Sequence, residues 1–390
     1  MKNKIPYGLH ELDDKDIQAV VDILKNCPIT QGQTVDDFGQ ALADYAGSKY
    51  GVAVSSGTAA LHLSVAALGI GPGDEVITSP MTFCATANAV LYQGADVKFV
   101  DIDEKTLNID PDLIEEKITK HTKAIIPVDF CGHPANLPKI KEIADKYNLK
   151  IIEDAAHSIG STYTHKGKKH YCGDGIHADF CTYSFHPVKH ITTGEGGAIL
   201  TNDEEHYHKL SLLRKHGIDR REEMFSEKDR IGSWIYEMDA LGFNYRITDF
   251  QAALGISQLK KLDAIKARRR EIVNYYNQKF SGIDELILPY EDESVDSNFH
   301  LYILQVKDNP RFDRYDLFTF MQSKNYQPMV HYIPVHLLGY YKKRFGYKRN
   351  DFPVSEHFYD RAVSIPLYPS LTDAEVEKVV DDITNFVKSK

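Results

Sequence analysis

The 390-residue sequence contains no apolar run of about 18 residues or more, the length that a membrane-spanning helix needs. Residues 1–7 also lack the apolar core of a signal peptide, so we expect neither a membrane span nor a secretion signal. Cysteine is scarce: the five present form no CxxC pair and no metal-site spacing, and their number is odd. These absences together predict a protein of the reducing cytoplasm.

Positive charge is scarce as well. Lysine and arginine total 46 against 56 aspartate and glutamate residues, which gives a net charge of -10 and argues against a nucleic-acid surface. The basic run at residues 266–270 lies inside a helical pattern and is explained as a solvated helix face. The 17 histidines form no clear pair with a third ligand on one helix face, so we predict no metal site.

What the sequence does contain is a regular alternation of short apolar strands and helices. It predicts strands at 51–54, 75–78, 97–100, 124–128, 150–152, 178–183 and 198–200. Helices are predicted between them at 59–68, 85–92, 112–118 and 137–147. This pattern indicates a mostly parallel sheet with helices on both faces, and such sheets bind ligands beyond the carboxyl ends of their strands.

The flanking regions complete the architecture. Helices are predicted at 15–25, with Asp13 or Asp14 as the cap, and at 35–45. One long helix capped by Thr248 and running towards Tyr276 is predicted to lead into a smaller domain with strands at 299–306 and 328–332 and a closing helix at 373–387. We therefore divide the chain into a large domain, 1–250, and a small C-terminal domain, 251–390.

The loop at residues 184–197 holds Lys189 between two predicted strands, beside Pro187 and a Gly-Glu-Gly-Gly turn. An amine that reacts with a carbonyl must lose its proton, which requires desolvation or nearby positive charge. On position alone, an ordinary surface lysine is the commoner outcome. The whole loop, however, resembles the lysine loop of the DegT-type sugar-nucleotide aminotransferases, which are enzymes that use pyridoxal 5'-phosphate (PLP).

The resemblance spans nearly the whole chain and implies an α/β protein with the type I, aspartate-aminotransferase-like PLP fold. That fold has a large domain with a mixed, mostly parallel sheet and a smaller α+β C-terminal domain. The resemblance also implies that Lys189 is the catalytic residue and forms the Schiff base with PLP. A minority branch of the fold has histidine in place of the lysine and acts as a sugar dehydratase; this chain has His190 at the next position but keeps Lys189.

A phosphate-binding turn is predicted where the first strand runs into a helix at Ser55-Ser56-Gly57-Thr58. Small residues let backbone N–H groups approach a ligand, and a helix N-terminus favours an anion. Taken alone, the same residues also fit a simple capped turn. The resemblance assigns Gly57, Thr58 and Ser184 to the phosphate of PLP.

Asp154 follows an apolar strand, where a carboxylate is costly to bury without a cationic partner. A protonated pyridine nitrogen is such a partner, and a helix N-cap is the structural alternative. The resemblance places Asp154 at the PLP nitrogen, His157 near the ring hydroxyl and Phe83 on the ring face, although a Phe after a strand is usually core. It places Asn244 on the phosphate of a neighbouring subunit, which implies a homodimer with shared active sites.

The resemblance also implies a substrate-binding set on three separate segments. The turn at residues 27–30 is expected at the mouth of the site, and a plain connection between helices is an equally good interpretation of it. His331 also fits a satisfied core histidine. The expected substrate-binding residues are Tyr7, Cys27, Pro28, Ile29, Thr30, His331 and Tyr332.

Within the family, the narrower resemblance is to the pseudaminic-acid branch. Its members aminate C4 of a UDP-linked 4-keto-6-deoxy-N-acetylhexosamine, and the expected amino donor is L-glutamate. Branches for bacillosamine, legionaminic acid and perosamine share most of the same residues, and UDP, GDP and dTDP all stay open as the nucleotide. Two other classes also stay open: a PLP-dependent sugar dehydratase and a non-catalytic protein with the PLP fold.

Overall fold

The computed structural model describes residues 4–220 and 234–390, and all elements below lie in those ranges. The α-helices are α1 Asp14–Asn26, α2 Gln33–Ala46, α3 Gly57–Ala67, α4 Cys84–Tyr92, α5 Leu137–Tyr147, α6 Glu204–Leu213, α7 Asp249–Leu259, α8 Leu262–Phe280, α9 Arg314–Ser323, α10 Gly339–Phe345, α11 Pro353–Arg361 and α12 Asp373–Ser389. None of these described helices is long and apolar enough to cross a membrane.

The strands are short and fall into several sheets. They are β1 Ile5–Pro6, β2 Tyr50–Val54, β3 Glu75–Thr78, β4 Asp96–Phe99, β5 Thr122–Ile126, β6 Lys150–Asp154, β7 Thr162–His165, β8 Lys168–Tyr171, β9 Phe180–Ser184, β10 Gly197–Thr201, β11 Ile218–Asp219, β12 Glu237–Met238, β13 Leu286–Ile287, β14 Val295–Asp296, β15 Tyr302–Val306, β16 Tyr326–Gln327 and β17 Ala362–Ile365.

Seven of the strands form one large sheet in the order β2-β10-β9-β6-β5-β3-β4. Strand β10 runs antiparallel to both of its neighbours, and the other pairings are parallel. The predicted mixed, mostly parallel sheet is therefore confirmed. Because β2, β6 and β9 are parallel to one another, their carboxyl ends open on the same edge of the sheet.

Helices cover both faces of this sheet, as the alternating pattern predicts. Val52 and Val54 on β2 pack into a cluster with α3 and α4, whereas Ala53 between them packs into a second cluster with α2 and α7. Successive side chains of a strand point to opposite faces, so the near-continuous apolar strands read from the sequence are strands buried on both sides. Helix α5 covers β3, β5 and β6 with a third cluster.

The C-terminal residues build a further core of their own. A three-stranded sheet in the order β13-β15-β17 packs with α8, α9 and α12. Strand β14 pairs instead with β7, and Val335, Tyr341 and Phe352 pack into the cluster under α3 and α4. The chain thus returns to the large sheet after α8, and the division at residue 250 stays a prediction.

The predicted long helix after Thr248 is wrong in one respect: two helices, α7 and α8, take its place. Thr248 caps α7 together with the side chain of Gln251, as expected for a capping box. The break falls at Lys260 and Lys261, where the Lys261 ammonium lies 2.5 Å from the fully buried carboxylate of Asp16 on α1. This contact stabilises the point at which the chain changes direction.

Three smaller predictions are also corrected. Residues 112–118 form two short 3-10 turns instead of a helix, since only Ile114 there is fully buried and one turn of helix without a packed face is unfavourable. Strand β15 begins at Tyr302, because Phe299 has a positive φ of 48°. Residues 328–332 are not a strand: only Met329 bridges to Ser364.

Candidate active site

Lys189 lies in the loop between β9 and β10, on the edge where the parallel strands end. The loop is held by its own hydrogen bonds: the Lys189 N–H donates to the carbonyl of His186 at 2.8 Å, and the Thr193 N–H donates to the carbonyl of Phe185 at 3.1 Å. Phe185 is fully buried and packs against Phe38 of α2, with ring centroids 5.2 Å apart. The lysine therefore stands on a fixed backbone.

The environment of Lys189 favours its neutral amine. Burial lowers the pKa of Lys189 to about 7, while the nearby Asp154 and Cys131 act in the opposite direction. A free amine is the nucleophilic form of lysine. The site thus supplies at neutral pH the reactive amine that the sequence could only suggest.

Asp154 is the last residue of β6 and is 4% exposed. Its Oδ2 accepts a hydrogen bond from the Thr86 hydroxyl at 2.7 Å, and its Oδ1 accepts one from the Ala156 N–H at 3.3 Å. Burial raises the pKa of Asp154, and these two donors and Lys189 oppose the rise. A carboxylate in this position favours a cationic group in the site beside it.

His157 is buried and has partners for both ring nitrogens. Its Nδ1 accepts from the Cys131 N–H at 3.3 Å, and its Nε2 lies 3.2 Å from the Tyr332 hydroxyl. Its ring also lies 4.3 Å from that of His300. Burial, with Lys189 and neighbouring histidines as further causes, holds the pKa of His157 well below its usual range.

The predicted phosphate turn has the shape of a cradle. Ser56 caps α3 by accepting from the Ala59 N–H at 3.1 Å, and Gly57 is the first residue of the helix. A Cβ built on Gly57 would lie 2.8 Å from Cβ of Ser184, so the lack of a side chain at this position brings the helix N-terminus against β9. The structure therefore brings Gly57, Thr58 and Ser184 together, as the sequence predicts.

Phe83 directly precedes α4 and is 57% exposed, which is unusual for a Phe after a sheet strand. Its ring centroid lies 5.9 Å from that of Tyr332. The core alternative for Phe83 is therefore wrong. An exposed aromatic face at this edge is free to stack on a planar ring.

Tyr7, His331 and Tyr332 meet beside this centre. The Tyr7 and His331 rings lie 4.8 Å apart, and Nδ1 of His331 lies 2.7 Å from the Ser364 hydroxyl. Burial, and secondarily the charge of Lys189, lowers the pKa of His331 to about 3. Tyr7, from the start of the chain, and the adjacent His331 and Tyr332 thus line one region next to Lys189.

The turn at residues 27–30 lies on the chain surface beside the start of α7. Cys27, Pro28, Ile29 and Thr30 are exposed, and Thr30 bridges to Thr248. Asn244 is also exposed, and its Oδ1 accepts from Arg246, whose guanidinium reaches Gln31 at 2.9 Å. The structure brings the turn and Asn244 to each other, and none of the described hydrogen bonds joins them to Lys189.

Several residues of the site were missed by sequence reasoning. Thr86, the partner of Asp154, carries a weak signal, since it is a polar residue in the first turn of a helix that follows a strand end. Cys131 and His300 carried no signal, because only the fold places them near Lys189; His190 follows Lys189 directly, but nothing in the sequence shows that it is buried. Burial and positive neighbours lower the pKa of both histidines. Arg269 is fully buried and donates to three backbone carbonyls, and burial lowers its pKa to about 10.

Behind Asp154 lies a buried group of metal-ligand types, Asp129, Glu153 and Cys172, whose ligand atoms lie within 4.8 Å of one another. Asp129 accepts from the Ser158 hydroxyl at 2.6 Å, and Glu153 accepts from the Gly173 N–H at 3.0 Å. Burial raises the pKa of Asp129 to about 6 and that of Glu153 well above its usual range. Burial and the repulsion between the two carboxylates both favour a proton on this pair.

Comparison with known proteins agrees with this geometry. The model of the DegT/DnrJ/EryC1/StrS aminotransferase family matches residues 10–384. The chain is 37% identical over 387 residues to a Campylobacter jejuni protein named UDP-4-amino-4,6-dideoxy-N-acetyl-beta-L-altrosamine transaminase, covering 98% of both chains. It is 40% identical over 386 residues to the Bacillus subtilis spore coat polysaccharide biosynthesis protein SpsC, covering 98% of this chain and 97% of that one.

Among solved structures, the PLP-form of Streptococcus pneumoniae Spr1654 is similar with a TM-score of 0.90 and 30% identity, covering 99% of both chains. A reactive lysine, a buried carboxylate and a phosphate cradle at one sheet edge fit PLP. The fold and the site define a PLP-dependent aminotransferase of the type I fold. The chain belongs to the DegT/DnrJ/EryC1/StrS aminotransferase family and is a sugar aminotransferase.

Proposed function

We propose that this enzyme transfers the amino group of L-glutamate to C4 of a UDP-linked 4-keto-6-deoxy-N-acetylhexosamine, as a step in pseudaminic acid biosynthesis. The observation that carries the proposal is the 37% identity, over 98% of both chains, to a relative whose name specifies an amino sugar of this kind. The residues beside Lys189 include Tyr7, His331 and Tyr332, which are three of the positions behind the narrower resemblance.

Each residue of the site has a proposed role. Bound PLP supplies an electron sink for bond changes at the amino-bearing carbon. The free amine of Lys189 takes and returns the proton at Cα of the donor. Asp154 keeps the proton on the ring nitrogen, and Gly57, Thr58 and Ser184 hold the phosphate.

Phe83 stacks on the cofactor ring, and a group of residues on both sides of the site contacts the sugar nucleotide. The proposed substrate contacts are Tyr7, Cys27, Pro28, Ile29, Thr30, His331 and Tyr332. The turn at 27–30 and Asn244 are exposed and lie next to each other. We place both against the site of a second copy, so that the enzyme works as a homodimer with shared active sites.

All five cysteines are free, in keeping with a reducing cytoplasm.

A second candidate is amination of a different nucleotide-linked keto-sugar. The 40% identity to SpsC, whose name refers to spore coat polysaccharide, is slightly higher than that to the altrosamine transaminase. Branches of this family differ in a few pocket contacts, and discrimination between sugars that differ in one hydroxyl depends on such contacts. The nucleotide and the stereochemistry of the sugar are therefore the points that an experiment must decide.

The test is a competition assay on the PLP-loaded enzyme with L-glutamate as donor. UDP-, GDP- and dTDP-linked 4-keto-6-deoxy sugars, with and without the N-acetyl group, are supplied together, and the aminated products are separated and identified by NMR. The proposal predicts that the UDP-linked N-acetyl sugar has the highest kcat/KM. A higher value for a GDP- or dTDP-linked sugar would replace it with the second candidate.

A further inference from the structure

Glu153 immediately precedes Asp154 on β6, and the two side chains point to opposite faces of the sheet. Glu153 is 1% exposed, and its Oε2 accepts a hydrogen bond from the Gly173 N–H at 3.0 Å. Its Oε1 is buried as well and receives no hydrogen bond from any described donor. A buried carboxylate oxygen without a donor is costly, and a proton bound to that oxygen removes the cost.

The carboxyl group of Asp129, which is fully buried, lies beside that of Glu153, and the two are hydrogen-bonded to each other. Two carboxylates cannot form such a bond without a proton. Oδ1 of Asp129 accepts from the Ala135 N–H at 2.8 Å, and Oδ2 accepts from the Ser158 hydroxyl at 2.6 Å. Because both oxygens of Asp129 are acceptors and Oε1 of Glu153 has no donor, the proton belongs on Glu153.

The surroundings of the pair also favour one proton on it. The other titratable side chains that face it are Tyr163, Cys172, Asp174, Cys181 and Tyr183. None of these five is a base, and burial raises the pKa of both thiols and both phenols, so these four groups are neutral. Asp174 is paired with His170, whose Nδ1 lies 2.7 Å from its Oδ2. Burial, and after it the charge of Asp129, raises the pKa of Glu153 well above its usual range.

Asp129 in turn holds the backbone on both sides of Asp154. The Asp129 N–H donates to the Asp154 carbonyl at 3.1 Å, and the Asp154 N–H donates to the carbonyl of Pro127 at 2.9 Å. The Asp129 carboxylate binds the turn that follows Asp154 through Ser158, and the loop that follows β5 through Ala135. A hydrogen bond from Glu153 keeps this carboxylate in place without adding a second charge.

We propose that Glu153 is a neutral carboxylic acid whose Oε1 proton is donated to Asp129, and that Glu153 and Asp129 are positioning residues that fix the place of Asp154. The positioning part rests on the proposed role of Asp154 at the PLP nitrogen. The location of the proton does not depend on that role, so the two parts are tested separately.

The first experiment locates the proton by infrared spectroscopy of the cofactor-free protein at neutral pH. A carboxylic acid has a C=O stretching band that a carboxylate lacks. The difference between wild type and Glu153→Gln should contain one such band, and the band should shift when the glutamate carboxyl carbons are labelled with ¹³C. Glu142→Gln, which changes an exposed carboxylate on α5, is the control and should show no band.

Absence of the band, or a band that shifts only with labelled aspartate, would overturn the proposed location of the proton. The metal content of the purified protein is measured alongside. A stoichiometric metal ion would also overturn it, because Asp129, Glu153 and Cys172 would then be ligands of that ion.

The second experiment tests positioning by titrating PLP into the wild type, Glu153→Gln and Glu153→Leu. The Gln amide can donate to Asp129 and accept from Gly173, so its dissociation constant for PLP should stay within about twofold of wild type. Leu has a similar size but no donor, and we expect it to bind PLP about tenfold more weakly, as for the loss of a hydrogen bond to a charged group.

Equal affinities of Glu153→Leu and wild type would show that Glu153 does not position Asp154. Affinities of Glu153→Gln as low as those of Glu153→Leu would show that an ionised Glu153 is required and would overturn its neutral state. Thermal unfolding of both variants is measured in parallel. The infrared measurement uses only wild type and Glu153→Gln, so it decides the location of the proton even if Glu153→Leu does not fold.

Discussion

The hydroxyl of Thr86 lies 2.7 Å from Oδ2 of Asp154 and joins the first turn of α4 to the end of β6. This bond helps to keep the buried carboxylate ionised, because burial alone raises the pKa of Asp154. An ionised Asp154 is the state that can hold a proton on the ring nitrogen of PLP. Two substitutions distinguish the effect of the Asp154 charge from that of the Thr86 hydrogen bond.

Asp154→Asn removes the charge and keeps the size of the side chain. We expect the variant to fold and bind PLP but to lose activity by about 10²-fold or more, as for the loss of a charge aimed at the reacting group. Thr86→Val, which removes only the hydroxyl, should lose less activity than Asp154→Asn. Steady-state rates and the PLP content of both variants check this, and near-normal turnover of Asp154→Asn would refute the role of this carboxylate.

Lys189→Ala should abolish turnover and leave PLP bound noncovalently. The amine that we propose moves the proton is gone, which costs at least about 10²-fold, while the proposed phosphate-binding residues and Asp154 are unchanged. Equilibrium dialysis measures the PLP that stays bound, and Lys343→Ala, an exposed lysine on α10, is the control. Complete loss of the cofactor from Lys189→Ala would mean that the cradle and Asp154 contribute little to binding.

Capture of PLP by the cofactor-free enzyme should depend on pH through Lys189. Burial lowers the pKa of this amine to about 7. Below that pH the fraction of Lys189 in the reactive neutral form falls about tenfold per pH unit, and well above it nearly all of the amine is neutral. The rate at which the visible band forms after mixing should rise up to about pH 7 and then level off. A rate that keeps rising towards pH 10 would show an ordinary, solvated lysine.

Gly57→Ala should weaken PLP binding. Its Cβ would lie 2.8 Å from Cβ of Ser184, so one wall of the phosphate cradle would have to move, and we expect at least about a tenfold loss of affinity. Gly339→Ala is a matched control, since a Cβ at Gly339 has no neighbour within 4 Å. Titration of PLP into both proteins gives the affinities. Equal PLP affinities for the two variants would show that Gly57 does not contribute to the phosphate site.

A shared active site predicts complementation between subunits. Asn244→Asp, which places a negative charge where the neighbouring phosphate is expected, and Lys189→Ala should each be inactive as pure homodimers. After unfolding and refolding together, half of the dimers are mixed and one of their two sites is intact, so about a quarter of wild-type activity should return. Activity that stays at the level of the separate variants would place Asn244 in its own subunit's site or outside any site.

Much of the large sheet was predictable because its signals are local. Strand β3 at Glu75–Thr78 and helix α5 at Leu137–Tyr147 have the predicted bounds, since apolar runs and turn residues fix both ends. The break between α7 and α8 was not predictable, because it depends on the contact of Lys261 with Asp16, which lies 245 residues away. The positive φ of Phe299, 48°, likewise has no local signal in the sequence.

Some features of the candidate site could likewise be predicted from the sequence, and others could not. Lys189, Asp154 and Gly57 could be named because each lies in a motif that resembles one of the family's motifs; on position alone each also fits an ordinary surface or capping residue. The lowered pKa of Lys189 and the contact between His157 and Tyr332 could not, because the first depends on burial within the fold and the second joins residues 175 apart in the sequence. The sequence also gave Phe83 two interpretations, and only its exposure in the fold distinguishes them.

The most direct test of the central claim follows the visible spectrum of the PLP-loaded enzyme through its two half-reactions. L-glutamate should bleach the band that Lys189 forms with PLP, and the UDP-linked 4-keto-6-deoxy-N-acetylhexosamine should then restore it. Restoration by that sugar and not by its GDP- or dTDP-linked counterparts would support both the amino transfer and the proposed substrate. If no band forms even with excess PLP, or if glutamate leaves it unchanged, the account of Lys189 and its donor is contradicted.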